Sequence, residues 1–414
     1  MAAIVIALGV VTIAFGERIG INAGQGWDGL AYMRWSDQFW HRVVELGVTR
    51  YQAGRVLPSA LVYAVMHSLG AAPTVAHHLL AFCVLDVAML AGAAALWAHL
   101  AIAVMRWRAA AAWVGFAALF GGFANARHAL YDPVLVDTTA FALGMLLVWG
   151  FLARRDVAVA IAGALGVVTW PPLPPLAAVL LVLRRPARPV DPVPRRWPLV
   201  AAAVLAVAMT VQVLGETRNF YGSPMGGVGD DKLVEWIRRD LFVLTWPLAA
   251  LQLAAGWFVV ARERRLWNVR GYLRELSWRR VAVALAVIAA VGVARAWWLD
   301  TAGTVEGGPD FEQFSNEYAL ELLRGPAWGL VHHVVYFGPI VLVAVLAWPR
   351  VAAAAAEWGP GASLAAAMLV GFSAASESRQ WIHLLPLLVA LALAATHDVW
   401  TPRRALAFGA LALA

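Results

Sequence analysis

Three short stretches hold nearly all the side chains that could perform chemistry in this chain. The first reads Gly26-Trp27-Asp28-Gly29-Leu30-Ala31-Tyr32-Met33-Arg34-Trp35 and continues through Arg50-Tyr51-Gln52-Ala53-Gly54-Arg55-Val56-Leu57-Pro58. Asp28 follows the first apolar run, between glycines that let the backbone turn sharply. Its carboxylate is thereby placed to accept a proton at a membrane boundary. A helix N-cap explains the same residue equally well, since Asp is favoured there. The second stretch is Asn125-Ala126-Arg127-His128-Ala129-Leu130-Tyr131-Asp132-Pro133, followed by Asp137. Asp132 precedes a proline that opens the next helix, which again fits capping. Asp137 lies one turn further along an otherwise apolar helix, where a carboxylate needs a partner; Arg127 and His128 are candidates. The third is Glu377-Ser378-Arg379-Gln380-Trp381-Ile382-His383-Leu384-Leu385-Pro386. Helical spacing would put Gln380 and His383 on one face, and the planar fork of Arg379 suits a phosphate. A solvated helix end capped by Glu377 is the plainer reading.

The elements that must position these residues are apolar. The 414 residues are 62% hydrophobic and 14% charged, with a mean hydropathy of +0.71, whereas soluble domains carry about 25% charged residues. This composition excludes a soluble globular enzyme, a disordered chain and a disulfide scaffold. It predicts an all-α, polytopic transmembrane helix bundle of about 11 to 13 membrane segments, a single domain over 1–414 with no separate soluble domain. The 21 tryptophans fit an interfacial belt. Cys83 is the single cysteine, so no internal disulfide can form.

The net charge is +7 and Lys232 is the one lysine. Arginines recur as short groups (Arg106/Arg108, Arg154/Arg155, Arg184 to Arg196, Arg262 to Arg280, Arg350, Arg403/Arg404), which reads as cytoplasmic loops rather than a nucleic-acid surface. Segments are then expected at 2–15, 109–124, 132–152, 156–170, 174–183, 197–215, 241–261, 281–298, 329–348, 351–372 and 381–396. Residues 56–104 must cross once yet look like two segments, 56–70 and 74–104, so one of them is partly inserted or interfacial. All three chemical stretches fall on the outer side. Residues 29–46 are expected to form an amphipathic surface helix. Leu233, Trp236 and Ile237, and likewise Phe311, Phe314 and Tyr318, share helix faces suited to the membrane surface. The first apolar run lacks the basic flank and cleavage site of a signal peptide.

Familiar alternatives are weaker. No phosphate-binding Gly-rich loop with Lys and no His-Glu-x-x-His motif occurs. His77/His78 and His332/His333 are adjacent, so each pair points to different helix faces and makes a poor joint metal site. Gly226-Gly227-Val228-Gly229 follows no strand. Asp86, in mid-helix, marks either an ion path or a local hydrogen bond.

The order and common outer placement of these motifs resemble the GT-C superfamily of integral-membrane glycosyltransferases, which take a sugar from a polyprenyl-phosphate carrier. Gly26-Trp27-Asp28-Gly29 with Tyr32 is similar to the acidic motif of that family's first outer loop. Tyr51 to Pro58 is similar to the Tyr/Arg-rich stretch that follows it. Tyr131-Asp132-Pro133, and Glu377-Ser378-Arg379 leading into Leu384-Leu385-Pro386, also recur in bacterial members. The resemblance covers most of the chain in architecture and implies that Asp28 is the catalytic carboxylate. Unlike the larger members, this chain is expected to lack a C-terminal soluble domain.

In the expected reaction Asp28 takes a proton from an acceptor hydroxyl, and Arg379, Arg55 or Arg127 offsets charge on the departing phosphate. His128, Asp132, Asp137, Glu377, Gln380 and His383 complete the donor site, while Trp27, Tyr32, Arg34 and Tyr51 form the acceptor or interfacial side. The expected partners are a polyprenyl-phosphate-linked sugar, a lipid, glycan or protein acceptor, and membrane lipids, with no nucleic acid. No cofactor is expected, and a divalent metal stays open. The expected location is a bacterial inner membrane with the site facing outward. The rival readings are a transporter or flippase, hinted at by Asp86 and the Pro171–Pro175 turn, and a non-catalytic scaffold.

Overall fold

A backbone in an apolar setting must satisfy its hydrogen bonds within its own segment, and the apolar runs among the described residues fold as helices. The structure is a computed structural model that describes residues 1–26, 28–184, 242–302, 328–373 and 377–413. No strand occurs among the described residues.

Helix α1 (Ala2–Phe15) packs along α5 (Val75–His99). Between them lie α2 (Gly29–Asp37), α3 (Arg50–Ala53) and α4 (Leu57–Ser68). Local chemistry sets these starts. Thr49 and Gln52 form a reciprocal capping box on α3. Pro58 occupies the first turn of α4, where its missing N–H leaves nothing unsatisfied. Thr74 caps α5 by accepting from the His77 N–H at 3.3 Å.

The chain continues through α6 (Ala109–Phe120), α7 (Ala129–Tyr131), α8 (Asp137–Leu152), α9 (Asp156–Gly166) and α10 (Leu173–Val182). Then come α11 (Phe242–Arg262), α12 (Val269–Glu275), α13 (Trp278–Thr301), α14 (Trp328–Phe337), α15 (Ile340–Leu346), α16 (Trp348–Trp358), α17 (Pro360–Phe372), α18 (Leu385–Thr396) and α19 (Pro402–Leu413). At the centre α8 meets α5, α18 and the 3₁₀ turn Ser378–Leu384. That approach depends on Gly144: a Cβ there would collide with the His383 carbonyl. Helix α18 is enclosed along nearly its whole length. By contrast α13 turns Val283, Leu285, Ile288, Val293 and Trp297 outward.

Among the described residues three helical stretches are long and apolar enough to cross a membrane: Val75–Val104, Trp278–Thr301 and Ser378–Thr396. The number reaches five if the bent pairs Ala109–Phe120 with Ala124–Tyr131 (55°) and Ile340–Leu346 with Trp348–Trp358 (87°) each count as one span. Helix α4, with 12 residues, reaches about 18 Å at 1.5 Å per residue, well short of the roughly 30 Å hydrocarbon layer.

Three expected elements are divided. Helix α2 ends at Asp37, and a separate turn covers Trp40–Glu45 rather than one helix running over 29–46. The expected 329–348 span breaks at Gly338-Pro339, and the 351–372 span breaks at Gly359-Pro360. Each proline disfavours helical geometry in the residue before it. The expected segment 197–215, the glycine run at 226–229, Leu233, Trp236, Ile237, Phe311, Phe314 and Tyr318 lie outside the described residues.

Candidate active site

The stretch that carries Asp28 is anchored to the bundle before it presents its carboxylate. Gly26 adopts φ +70° and lies directly against Asp132, so that a Cβ built on it would sit 2.6 Å from the Asp132 Oδ2. Helix α2 then starts at Gly29. Its far end is tied to α5 by Ser36 Oγ and His78 Nδ1 at 3.0 Å, with His78 Nε2 3.6 Å from Asp37 Oδ1. Asp28 occupies the N-cap position, but its side chain makes no capping bond. The capping explanation therefore fails, and the carboxylate is left 56% exposed at the mouth of the group.

Asp28 Oδ2 lies 3.7 Å from Arg379 Nη2. This is an ion pair without a hydrogen bond, so the carboxylate keeps its lone pairs available. Arg379 is oriented from its other side: its Nε donates to Glu377 Oε1 at 2.6 Å, and Gln380 Nε2 donates to Glu377 Oε2 at 2.5 Å. Burial pushes the Glu377 carboxyl up, but the Arg379 charge and the hydrogen bonds from Gln380 and Arg379 outweigh it. The group is held below the usual carboxylate range. Glu377 thus fixes two neighbouring side chains and does not cap its helix.

Beneath this pair lies Arg55. It is 8% exposed, with its guanidinium 4.0 Å from the centre of the Tyr51 ring and 4.6 Å from that of Trp170. The two rings cover it, and its edge remains free. Among the described residues Arg55 forms no ion pair, and its buried Nε has no hydrogen-bond partner. Tyr32 packs edge-on to Trp35 at 5.0 Å. Burial pushes its phenol up to about 12, so it stays a neutral O–H donor.

Three further carboxyls stand behind. Asp132 is buried against Gly26, and its Oδ1 has no partner. It opens no helix, because α8 begins at Asp137 rather than Pro133. Burial, with Asp137 nearby, pushes its carboxyl up to about 7, against the opposing pull of Arg379. Asp137 is itself buried and feels the charges of Arg379, His128 and Arg55. Asp86 lies deeper in α5, hydrogen-bonded to Thr138.

The structure therefore brings together Asp28, Tyr32, Tyr51, Arg55, Asp132, Asp137, Glu377, Arg379 and Gln380. His128 borders them, with its Nδ1 3.2 Å from the Tyr336 hydroxyl. Three expected residues stand apart. Arg127 is 68% exposed and faces Glu17 at 3.5 Å, so it is not the partner of Asp137. Arg34 is exposed on α2. His383 does not share a face with Gln380, because the turn kinks at Trp381 (φ −115°) and carries the imidazole into the core. There it accepts from Trp170 Nε1 at 2.9 Å. Trp27 lies outside the described residues.

Trp170, Tyr336 and His333 belong to the surroundings of the site; the sequence offered none of them as a site residue, and His333 entered only as half of a poor metal pair. Only Trp170 carried a signal, as the aromatic residue just ahead of the Pro171–Pro175 turn. Among the described residues no three His, Cys, Asp or Glu side chains converge as metal ligands.

No protein-family model, curated protein or solved structure matches this chain.

Proposed function

We propose that this chain is an integral-membrane glycosyltransferase of the bacterial inner membrane. It transfers a sugar from a polyprenyl-phosphate-linked donor to an acceptor hydroxyl of a lipid, glycan or protein at the outer face. The observation that carries this reading is Arg55, a buried and ring-clamped cation without a carboxylate partner among the described residues, set beside the partly exposed Asp28–Arg379 pair. A buried charge needs a counter-charge, and a lipid-linked phosphate arriving sideways from the bilayer supplies one. Clustered outer motifs similar to those of GT-C enzymes support the same reading.

In the proposed step the acceptor oxygen attacks the anomeric carbon while its proton passes to the Asp28 carboxylate. The bond from that carbon to the phosphate oxygen breaks, and its electron pair leaves with polyprenyl phosphate. Single displacement inverts the anomeric centre. General-base assistance is worth about 10² to 10⁴ in rate, and Arg379 and Arg55 offset the charge that grows on the leaving group. The test is release of polyprenyl phosphate from a labelled lipid-linked sugar by purified protein. Asp28→Asn is expected to abolish release while leaving thermal unfolding unchanged; near-normal release by that variant would end the assignment.

A transporter or flippase is the second reading, favoured by Asp86. This carboxyl is buried in the longest of the apolar helices, and its Oδ2 lacks a partner. An intramembrane acid of that kind commonly marks a path for ions. The same assay separates the two readings, because transport leaves the donor intact.

A further inference from the structure

Asp28 and Arg379 face each other across 3.7 Å, and the element that carries each is tied to a neighbouring helix by a histidine. On the Asp28 side, His78 of α5 bonds Ser36 of α2. On the Arg379 side the histidine is His333 of α14, which is buried. Its Nε2 lies 2.9 Å from the Ser373 carbonyl oxygen and its Nδ1 2.8 Å from Ser378 Oγ. Ser373 follows the last residue of α17, and Ser378 directly precedes Arg379. One imidazole therefore grips the chain on both sides of Glu377.

The partners fix the tautomer. A carbonyl oxygen only accepts, so Nε2 carries the proton; Nδ1 is then the acceptor, and the Ser378 hydroxyl donates to it. The Trp381 ring stands edge-on to the imidazole at 4.8 Å, and its Nε1 approaches both ring nitrogens at 3.3 Å. Phe337 packs on Trp381 with ring centres 4.3 Å apart. Rotation of the imidazole is blocked on that side. The sequence pairs His333 with His332, but its role does not involve that neighbour.

We infer that His333 is a positioning residue: by bonding Ser373 and Ser378 it sets the turn that aims Arg379 at Asp28 and at the leaving phosphate. This rests on the glycosyltransferase reading for its consequence in activity, though not for the geometry itself. His333 touches no reacting atom in this scheme. Its loss acts through Arg379, so the two losses should not add.

Two measurements on the full-length protein test the inference. The first is a double-mutant cycle on polyprenyl phosphate release, using His333→Ala, Arg379→Ala and both together. His333→Ala is expected to lower kcat about tenfold or more with little change in donor KM, and to have no further effect once Arg379 is absent. His333→Gln, whose amide reaches the Nε2 position, should recover part of the loss by keeping the Ser373 bond, which also covers the case in which the alanine variant folds poorly. Additive losses in the cycle would overturn the inference.

The second measurement does not depend on activity. In a Cys83→Ala background carrying Asp28→Cys and Arg379→Cys, the yield of cross-linking by a short bis-maleimide should fall when His333 is replaced by Ala. Equal yields with and without His333 would overturn it as well. If wild-type protein releases no polyprenyl phosphate, the enzyme reading falls and the cross-linking result still decides the role of His333.

Discussion

At one end of α8, Asp156 and Arg184 form an ion pair; at the other, Asp28, Asp132, Asp137 and Glu377 gather around Arg55 and Arg379. The first group joins the start of α9 to the end of α10 and sits where the basic sequence runs cluster. The Arg184 charge is answered directly by the Asp156 carboxylate, with Arg154 and Arg280 adding to the positive side. The second group is mismatched in kind as well as number. It contains a carboxyl pushed up to about 7, a cation with two aromatic covers and no ion pair among the described residues, and a carboxylate left half in solvent. Such an arrangement costs stability, and perturbed, incompletely paired groups concentrate where function needs them. One end of the helix is built to close. The other is built to receive.

The largest expected effect that would sharpen this contrast is in pH dependence. Burial in the folded protein raises the Asp132 carboxyl from its ordinary value of 3.8 to about 7, so the folded state holds this proton more tightly than the unfolded chain. The associated stabilisation is full below about pH 4 and is lost as pH rises through 7, as much as about 4 kcal/mol at 1.36 kcal/mol per pH unit. Asp132→Asn should remove that slope from unfolding curves taken between pH 4 and pH 8. An unchanged slope would mean that the buried carboxyl is already satisfied.

Next comes a paired comparison of two arginines. Arg379→Ala should lower donor turnover about 10² to 10³-fold with little change in unfolding. Arg184→Ala should leave turnover per folded molecule intact and cost about 1 kcal/mol, because Asp156, 42% exposed, keeps its access to water once the arginine is gone. Equal losses of activity in the two variants would erase the distinction between the ends. The smallest effect is expected at Arg55. Arg55→Met removes an unpaired buried charge, so stability should hold or rise, while donor KM rises about tenfold for the loss of one charged hydrogen bond. A fall in stability with unchanged KM would make Arg55 a structural residue.

Much of the helical content was legible in the sequence, because apolar runs leave the backbone no alternative to internal hydrogen bonding. The breaks were harder to see. Gly338-Pro339 lies inside an unbroken apolar run, and at Gly359-Pro360 the dip around Glu357 is short between two alanine-rich stretches, so both runs look like single spans. The site was legible in part. Asp28, Arg55 and Arg379 stand out as polar residues at apolar boundaries, but nothing local says that the first and last of these face each other. His383 misled because helical spacing was assumed through Trp381, where the backbone departs from it. Arg127 misled because nearness in sequence to Asp137 suggested a partner, whereas the turn between them sends the arginine outward to Glu17. Trp170 and His333 act through contacts with residues far away in the chain, which no spacing rule can reach.

The tight seat of Gly26 on Asp132 carries a consequence for how tolerant this region is to change. A side chain at that position meets both a left-handed backbone and an occupied space, so the turn leading into α2 would have to lift and take Asp28 with it. In a saturation library selected for donor turnover, position 26 should return glycine alone, while Arg34, a few residues on and facing outward, should accept nearly any replacement.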